Sequence, residues 1–317
     1  MESQKERIPL IILSGPTASG KTEVGIELAL LLQTDIISAD ARAIYKYMDI
    51  GTAKPTPKQR KKVKHHLIDI AEPNQIFTVA DYLQLAIPLI KKLYYEEGKI
   101  PLIVGGTRLY IDSLLKGLFS APPANQELRQ KLLEEEKKEK GSLYKKLTEI
   151  DPERASELHP NDIKRITRAL EIYYLTGKKM SELRKKTSAP PFLPLKFALM
   201  WDREALYRRI NERAEKMVKE GLIEEVKKLL EMGCRDDFIS MQGHGYREIM
   251  WYLQGKMSLE QALYQMKRNT RHYARRQIIW LRGEDFTQIK MHEGRNPKEV
   301  AEEIYDKIPI EELKQKS

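Results

Sequence analysis

A candidate phosphate site lies near the N-terminus, directly after a run of apolar residues. The run covers residues 8–13, and the following stretch, "GPTASGKT" (15–22), has two glycines four residues apart and then a lysine and a threonine. Glycines let the backbone turn its N–H groups toward an anion, and the N-terminal dipole of a following helix adds to the attraction. A strand, this loop and a helix in that order predict a P-loop that holds phosphates.

The side chains of this loop have separate expected roles. Lys21 supplies a positive charge, and the hydroxyl of Thr22 is placed to ligate Mg²⁺. The phosphates could belong to ATP, as in a kinase or motor, or to a leaving group. The predicted phosphate-binding residues are Gly15, Pro16, Thr17, Ala18, Ser19, Gly20, Lys21 and Thr22.

Apolar runs and segments with helical spacing alternate over the first 107 residues. This alternation is typical of a parallel sheet with crossover helices, and such sheets place ligands at the carboxyl ends of their strands. We therefore predict an α/β fold with a P-loop NTPase-like core. The predicted strands are 8–14, 34–40 and 100–107, with a further apolar run at 65–70, and the predicted helices are 21–33 and 78–99.

The composition changes at the proline cluster "SAPPANQ" (120–126). From there to about residue 188 the chain is helical in pattern and highly charged, and an apolar strand follows at 197–201. We predict that 1–119 form the first part of the P-loop core and that 120–196 form a mostly helical insertion domain. The remainder, 197–317, would complete the core with basic C-terminal helices, expected at 203–231, 245–253 and 258–281.

Kinases and ATPases with a P-loop usually have a later strand that ends in an acidic residue for Mg²⁺. Here that strand ends in Gly105, Gly106 and Thr107, and its small residues favour a close approach of a ligand to the backbone. Asp40 is the acid at a strand end near the loop. It could act as a general base, or it could hydrogen-bond to a ligand of Mg²⁺ without binding the ion itself. Alternatively, it could simply cap a helix that begins after it.

The charge of the chain favours a polyanionic partner. The formal net charge is +10, and basic runs occur at 58–66, 164–168 and 267–282. One such run would be explained by a solvated helix face, whereas three together predict a surface that follows the phosphates of a nucleic acid. Arg268, Arg275 and Arg282 are seven residues apart and share a helix face, with Arg271 beside them and Ile278, Ile279 and Trp280 expected to pack inward.

Targeting features are not seen in the sequence. No stretch approaches the ~20 apolar residues needed to span a bilayer, and the first residues lack the long apolar segment of a signal peptide. The single cysteine fits a reducing compartment. We expect a cytoplasmic monomer without a membrane partner.

Nine sequence blocks, in order over nearly the whole chain, resemble the tRNA dimethylallyltransferases of bacterial type, also called tRNA isopentenyltransferases. They include "GPTASGKT" (15–22), "ISADARAIYKYMDIGTAKP" (37–55), "PLIVGGTRLYI" (101–111), "HPNDIKRITRALEIYYLTGK" (159–178) and "YARRQIIWLR" (273–282). The resemblance implies transfer of a dimethylallyl group from dimethylallyl diphosphate to N6 of an adenosine next to the anticodon of a tRNA. The partners would be dimethylallyl diphosphate and the tRNA anticodon stem-loop, with Mg²⁺ as cofactor.

The resemblance also implies roles for individual residues. Asp40 would accept the N6 proton, Arg213 would act on the diphosphate, and Thr107 and Thr17 would make polar contacts at the reacting site; the catalytic set is Asp40, Thr107 and Arg213. Arg209 lies one helical turn before Arg213. The implied tRNA-binding residues are Asp40, Ala41, Arg42, Ala43, Lys164, Arg165, Ile166, Thr167, Arg168, Gln242, Gly243, His244, Gly245, Tyr246, Arg247, Arg268, Arg271 and Arg275.

One departure and several alternatives accompany this interpretation. Where the family commonly has Asp-Ser-x-Gln, this chain has Asp40-Ala41-Arg42-Ala43, and alanines cannot make the contacts of the Ser and Gln side chains. The alternatives are an adenylate isopentenyltransferase, a P-loop nucleotide kinase and a non-catalytic RNA-binding protein. The long insertion and the basic third segment argue against the first, because a free nucleotide needs neither.

Overall fold

A six-stranded, all-parallel sheet forms the centre of the computed structural model, which describes residues 7–314. The strand order is β3-β2-β4-β1-β5-β6. The strands are β1 (Ile8–Ser14), β2 (Ile36–Ala39), β3 (His65–His66), β4 (Leu102–Gly105), β5 (Phe192–Trp201) and β6 (Thr287–Met291).

Fifteen α-helices connect or follow these strands within the described residues. The first four are α1 (Lys21–Leu32), α2 (Pro57–Lys62), α3 (Val79–Tyr95) and α4 (Arg108–Lys116). Five lie between β4 and β5: α5 (Gln126–Lys138), α6 (Ser142–Ile150), α7 (Pro152–Ser156), α8 (Ile163–Thr176) and α9 (Met180–Lys185). The last six are α10 (Arg203–Lys219), α11 (Leu222–Glu231), α12 (Tyr246–Leu253), α13 (Leu259–Gly283), α14 (Pro297–Tyr305) and α15 (Ile310–Lys314).

The central strand β1 is buried along its whole length because helices cover both faces of the sheet. Its side chains alternate between the faces, as they must in a strand. Ile11 and Leu13 belong to a core that includes residues of α1 and α14, whereas Leu10 and Ile12 belong to a second core that includes residues of α3 and α4. A parallel sheet that is covered in this way accounts for the continuous apolar runs in the sequence.

The predicted parallel α/β fold is confirmed, with three differences in its elements. β5 begins at Phe192, five residues before the predicted start. The expected helix 203–231 is two helices, because Gly221 adopts a φ of 105° between them. Five elements were not predicted from the sequence: β6, α2, α4, α14 and α15. β6 lies at the sheet edge and buries only Ile289 and Met291, so its apolar pattern is weak.

The chain divides into two compact units. One consists of Met1–Leu115 and Pro191–Ser317 and contains the sheet, and the other consists of Lys116–Pro190. The second unit has its own core, in which buried Glu171 accepts hydrogen bonds from Arg129, Arg168 and the backbone N–H of Asn125. Among residues 7–314, no helix is long and apolar enough to cross a membrane.

The two glycines at the end of β4, Gly105 and Gly106, make room for neighbouring protein atoms. A Cβ on Gly105 would lie 2.2 Å from the carbonyl oxygen of Ala39 in the paired strand β2. A Cβ on Gly106 would lie 2.5 Å from Nε2 of Gln277. The close approach that the sequence suggested is therefore made by the protein itself, and it brings the ends of β2 and β4 close to each other and to Gln277 of α13.

We predict that Gly105→Ala destabilises the protein. Its methyl group would push against the backbone of β2, and overpacking of this kind typically costs about 1–3 kcal/mol. Thermal unfolding measures the effect, with Gly283→Ala as control because a Cβ there meets nothing within 4 Å. An unchanged unfolding midpoint for Gly105→Ala would show that β2 and β4 are not as closely packed as described.

Candidate active site

A cavity of about 260 Å³ lies beyond the carboxyl ends of β1, β2 and β4. A smaller cavity of about 70 Å³ contains Lys21 and Thr22 of the P-loop, and the two cavities share Asp40 and Thr52. The larger one is lined by Thr17, Asp40, Ala41, Arg42, Gly51, Thr52, Thr107, Ile210, Arg213, Ala214, Met217, Gln242, Gly243, His244, Met266, Thr270 and Tyr273. Asp40 thus stands between the phosphate loop and the main cavity.

Lys21 is held by oxygen atoms of its own loop. Its Nζ donates to the carbonyl oxygens of Gly15 (2.9 Å) and Pro16 (2.8 Å) and lies 3.5 Å from Oγ of buried Ser19. No carboxylate of the described residues pairs with it. Burial lowers the pKa of the Lys21 ammonium to about 8, and the charge of Asp40 only partly offsets this effect. An anion in the smaller cavity would raise that pKa again.

Arg213 is a second cation without a carboxylate partner in the described part of the chain. It lies on α10, lines the larger cavity and donates from Nη2 to the hydroxyl of Thr17. Burial lowers the pKa of its guanidinium to about 10, again partly offset by Asp40. Arg209, one turn earlier, has a different position, because it packs 4.4 Å from the centre of the Trp201 ring.

Three side chains from distant elements hold the outer side of the P-loop. Gln277 of α13 accepts a hydrogen bond from the backbone N–H of Thr17 (2.9 Å). Arg209 donates to the carbonyl oxygen of Ala18 (3.0 Å). Trp201, at the end of β5, donates to that of Ser19 (2.9 Å). The loop is therefore fixed before any ligand arrives.

One oxygen of the Asp40 carboxylate is already engaged. Oδ1 accepts the backbone N–H groups of Arg42 (2.8 Å) and Ala43 (3.3 Å). The alternative interpretation of Asp40 as a helix cap is wrong, because residues 41–44 form a turn and not a helix, and Oδ1 stabilises that turn instead. Oδ2 accepts no hydrogen bond from a described residue. Asp40 can therefore keep its position and still receive a proton.

Thr107 links the end of β4 to the loop after β2. Its N–H donates to the carbonyl oxygen of Ala39 (3.1 Å), and its Oγ1 accepts the N–H of Ala41 (2.9 Å). The hydroxyl hydrogen remains available to the larger cavity, which Thr107 lines. Its expected catalytic role stays a prediction.

One face of α13 forms a wall of the larger cavity, and this wall was not predicted from the sequence. Met266, Thr270 and Tyr273 line the larger cavity, and Gln277 continues the same face to the P-loop. The four residues are spaced by four, three and four positions, which is the spacing of one helix face. That spacing was visible in the sequence, but nothing there showed which face of α13 meets the loop.

Four of the eight lysines and arginines that were predicted to bind tRNA are exposed. Lys164, Arg165, Arg268 and Arg275 are exposed, whereas Arg271 is half-buried and donates to Asn211 (2.7 Å). The remaining predicted positions at the cavity are Ala41, Arg42, Gln242, Gly243 and His244, which line the larger cavity, and Ala43, which lines the smaller one.

For several motif residues the expected contact with tRNA is not compatible with their positions. The side chains of Ile166, Thr167 and Tyr246 are buried, and the Tyr246 hydroxyl donates to Glu225 (2.6 Å). Gly245 is buried at the start of α12. Arg168 and Arg247 pair with buried Glu171 and Glu248 but are themselves partly exposed, so their contact with tRNA stays a prediction. Ile279, expected inside, is 61% exposed. These corrections arise because a motif does not reveal which side of its helix faces the core.

The P-loop residues also fit a magnesium ion. No cluster of three or more His, Cys, Asp or Glu side chains suited to a metal occurs within residues 7–314. Mg²⁺ needs no such cluster, since it commonly keeps several waters and binds one or two protein groups together with substrate phosphates. The Thr22 hydroxyl lies in the first turn of α1, at the smaller cavity beside Asp40.

Comparisons with known proteins identify the family of this chain. The family model described as IPP transferase matches residues 43–284. The tRNA dimethylallyltransferase of Thermotoga neapolitana is 47% identical over 273 residues, 86% of this chain and 89% of the relative. That of Pelotomaculum thermopropionicum is 45% identical over 307 residues, 96% and 98% of the two chains.

Solved structures give the same result. The tRNA isopentenylpyrophosphate transferase of Bacillus halodurans is 39% identical, with a TM-score of 0.72 over 98% of both chains. A eukaryotic dimethylallyltransferase acting on tRNA is 27% identical, with a TM-score of 0.75 over 89% of this chain and 74% of the other. With its P-loop, its cavity beside Asp40 and these relatives, the chain belongs to the IPP transferase family of tRNA dimethylallyltransferases.

Proposed function

We propose that this enzyme transfers a dimethylallyl group from dimethylallyl diphosphate to N6 of the adenosine next to the anticodon of tRNA. The observation that carries the proposal is a pair of cations, Lys21 and Arg213, that face the cavities without a carboxylate partner in the described chain, with Asp40 between them. A charge that is removed from water without a partner is costly. An anionic leaving group supplies the missing partner.

The leaving diphosphate would occupy the P-loop. As the bond between the allylic carbon and the diphosphate oxygen breaks, the electron pair stays on that oxygen and negative charge grows there. Lys21 would exchange the carbonyl oxygens of Gly15 and Pro16 for phosphate oxygens, and Arg213, held beside Thr17, would donate its other N–H groups to the same diphosphate. Charges that are already in place where negative charge develops are among the strongest means of lowering a barrier.

Asp40 would complete the reaction on the side of the adenine. The N6 lone pair is delocalised into the ring, which makes the amine a poor nucleophile. As the new bond between N6 and the allylic carbon forms, Asp40 would take one N6 hydrogen on its unoccupied Oδ2, while Oδ1 stays bonded to the N–H groups of Arg42 and Ala43. The products are the N6-modified nucleoside and diphosphate.

The larger cavity suits an apolar substituent beside a polar reaction centre. Ile210, Ala214 and Met217 of α10 face it from one helix, and Met266 of α13 from another. These side chains give the hydrocarbon part of the prenyl donor an apolar surface while Asp40 and Arg213 remain at its reacting end. A Mg²⁺ ion held by Thr22 and the phosphate oxygens would add positive charge to the leaving group.

The tRNA would bind through the exposed cations and enter the cavity with one base. A stacked adenine cannot present N6 to a cleft, so the nucleotide must leave the stack. Arg268 and Arg275 of α13 and Lys164 and Arg165 of α8 would follow the backbone of the anticodon stem-loop. We place the reaction in the cytoplasm, where its tRNA substrate occurs. A monomer suffices, because one chain carries every residue proposed to act.

The direct test is incubation with labelled dimethylallyl diphosphate, Mg²⁺ and unmodified tRNA, followed by nucleoside analysis. The label should appear in N6-modified adenosine next to the anticodon. Label in free adenine nucleotides with none in tRNA would instead identify an adenylate isopentenyltransferase. Transfer of the γ-phosphate of ATP, with no prenyl transfer, would identify a kinase.

We predict that Asp40→Asn binds both substrates but reacts slowly. The amide keeps the shape of the carboxylate and can still accept the N–H groups of the turn, but it cannot take a proton. General-base catalysis typically contributes ~100- to 10,000-fold, and a single-turnover measurement with both substrates saturating should show a loss in that range. A wild-type rate would restrict Asp40 to holding the turn that follows it.

We predict that binding of an alkyl diphosphate above pH 8 is accompanied by proton uptake at Lys21. In the free protein the Lys21 side chain, with a pKa of about 8, is largely the neutral amine at pH 9. The bound anion raises that pKa, so the amine takes up a proton. Affinity should therefore fall as the pH rises above 8. Calorimetry in buffers with different ionisation heats measures the uptake, and Lys21→Met is the reference that removes the contribution of the ligand itself. Equal proton uptake by the unmodified protein and by Lys21→Met would show that Lys21 is not the group that takes up the proton.

We predict that tRNA affinity depends steeply on salt and that Arg268→Gln and Arg275→Gln each flatten the dependence. Each neutralised phosphate contributes roughly −0.7 to −0.9 to the slope of log affinity against log salt concentration. The control is Lys298→Gln on α14, an exposed cation outside the proposed surface. The same slope for all three variants and the unmodified protein would show that tRNA binds elsewhere.

A further inference from the structure

A buried carboxamide joins the two turns that border the proposed diphosphate site. Gln277 is 6% exposed, and its Oε1 accepts the backbone N–H of Thr17 at 2.9 Å. Its Nε2 donates to the carbonyl oxygen of Gly106 at 2.8 Å. One side chain of α13 thus bonds the P-loop after β1 and the turn after β4.

The surroundings of this amide leave it little freedom. Gly106 has no side chain, and a Cβ there would lie 2.5 Å from Nε2 of Gln277 and 3.1 Å from the carbonyl oxygen of Gly15. The absence of that Cβ is what allows the amide to reach both turns. A buried donor and a buried acceptor are each costly to leave unpaired, so the two hydrogen bonds select one position for the loop.

Thr17 connects Gln277 to the cation that faces the main cavity. Its backbone N–H is bonded by Gln277, and its hydroxyl accepts a hydrogen bond from Arg213. The N–H of Thr17 therefore points to the amide of α13 and not to a phosphate. Loss of Gln277 would release the segment of the loop against which Arg213 rests.

We propose that Gln277 is a positioning residue for the transfer reaction: it holds Thr17 and Gly106 so that the P-loop and Arg213 meet the leaving diphosphate in one geometry. The inference rests on the proposed function. Gln277 need not touch either substrate, since it acts through the two turns. Small misplacements of reacting groups can cost about 100-fold in rate.

The first experiment compares Gln277→Met with Gln265→Met. Methionine is similar in length to glutamine but makes neither hydrogen bond, and Gln265 is a half-buried glutamine of the same helix with no hydrogen bond to a described residue. We expect Gln277→Met to lower the single-turnover rate about 10- to 100-fold. Affinity for tRNA and the thermal unfolding midpoint should match those of Gln265→Met.

A second variant reaches the same contact from the other side. Gly106→Ala leaves Gln277 in place but puts a methyl group where its Nε2 lies, so it should displace the amide and slow the reaction similarly. The double variant should be no slower than the slower single variant, because both changes break the same two hydrogen bonds. Gly106→Ala also tests the proposal if Gln277→Met does not fold.

The possible outcomes separate the two proposals. No prenyl transfer by the unmodified protein would overturn the proposed function. Normal transfer by the unmodified protein together with an unchanged rate for Gln277→Met would overturn only the role of Gln277. Strictly multiplicative rate losses in the double variant, or a rate loss that merely follows a loss of tRNA affinity or of thermal stability, would also overturn it.

Discussion

The candidate active site is built around two cations, Lys21 and Arg213, that lack a carboxylate partner in the described chain. Lys21 donates to backbone carbonyls and Arg213 to a threonine hydroxyl, and burial lowers the pKa of both side chains. The oxygen atoms that accept from both cations belong to the P-loop, and Gln277, Arg209 and Trp201 hold that loop from three elements. The parallel sheet makes this arrangement possible, because it brings the carboxyl ends of β1, β2 and β4 to one edge.

Much of the fold follows from short-range patterns. The apolar runs that became β1, β2 and β4 are buried on both faces, so their signal in the sequence is strong. β6 gives a weak signal because only two of its residues are buried at the sheet edge. The break at Gly221 was also missed, because a single glycine within a helical pattern does not reveal that its φ is positive.

Some residues of the site could also be predicted from local sequence patterns, whereas others depend on contacts between distant parts of the chain. Lys21 and Asp40 belong to strand-end motifs, and Arg213 could be located by the family resemblance. Gln277 could not be identified, since its role depends on a contact with Thr17, 260 positions away in the sequence. Ile166 and Tyr246 show the opposite error: they lie in blocks that resemble the family, yet their side chains belong to the core.

The central claim is that the unpaired cations await the leaving diphosphate, and an experimental structure with a non-reactive dimethylallyl diphosphate analogue tests it most directly. The account predicts that Nζ of Lys21 moves from the carbonyl oxygens of Gly15 and Pro16 to the diphosphate, and that Arg213 contacts the same group. It also predicts that the hydrogen bonds of Gln277 are retained. A diphosphate bound away from the P-loop, or a Lys21 still bonded only to its own loop, would contradict the account.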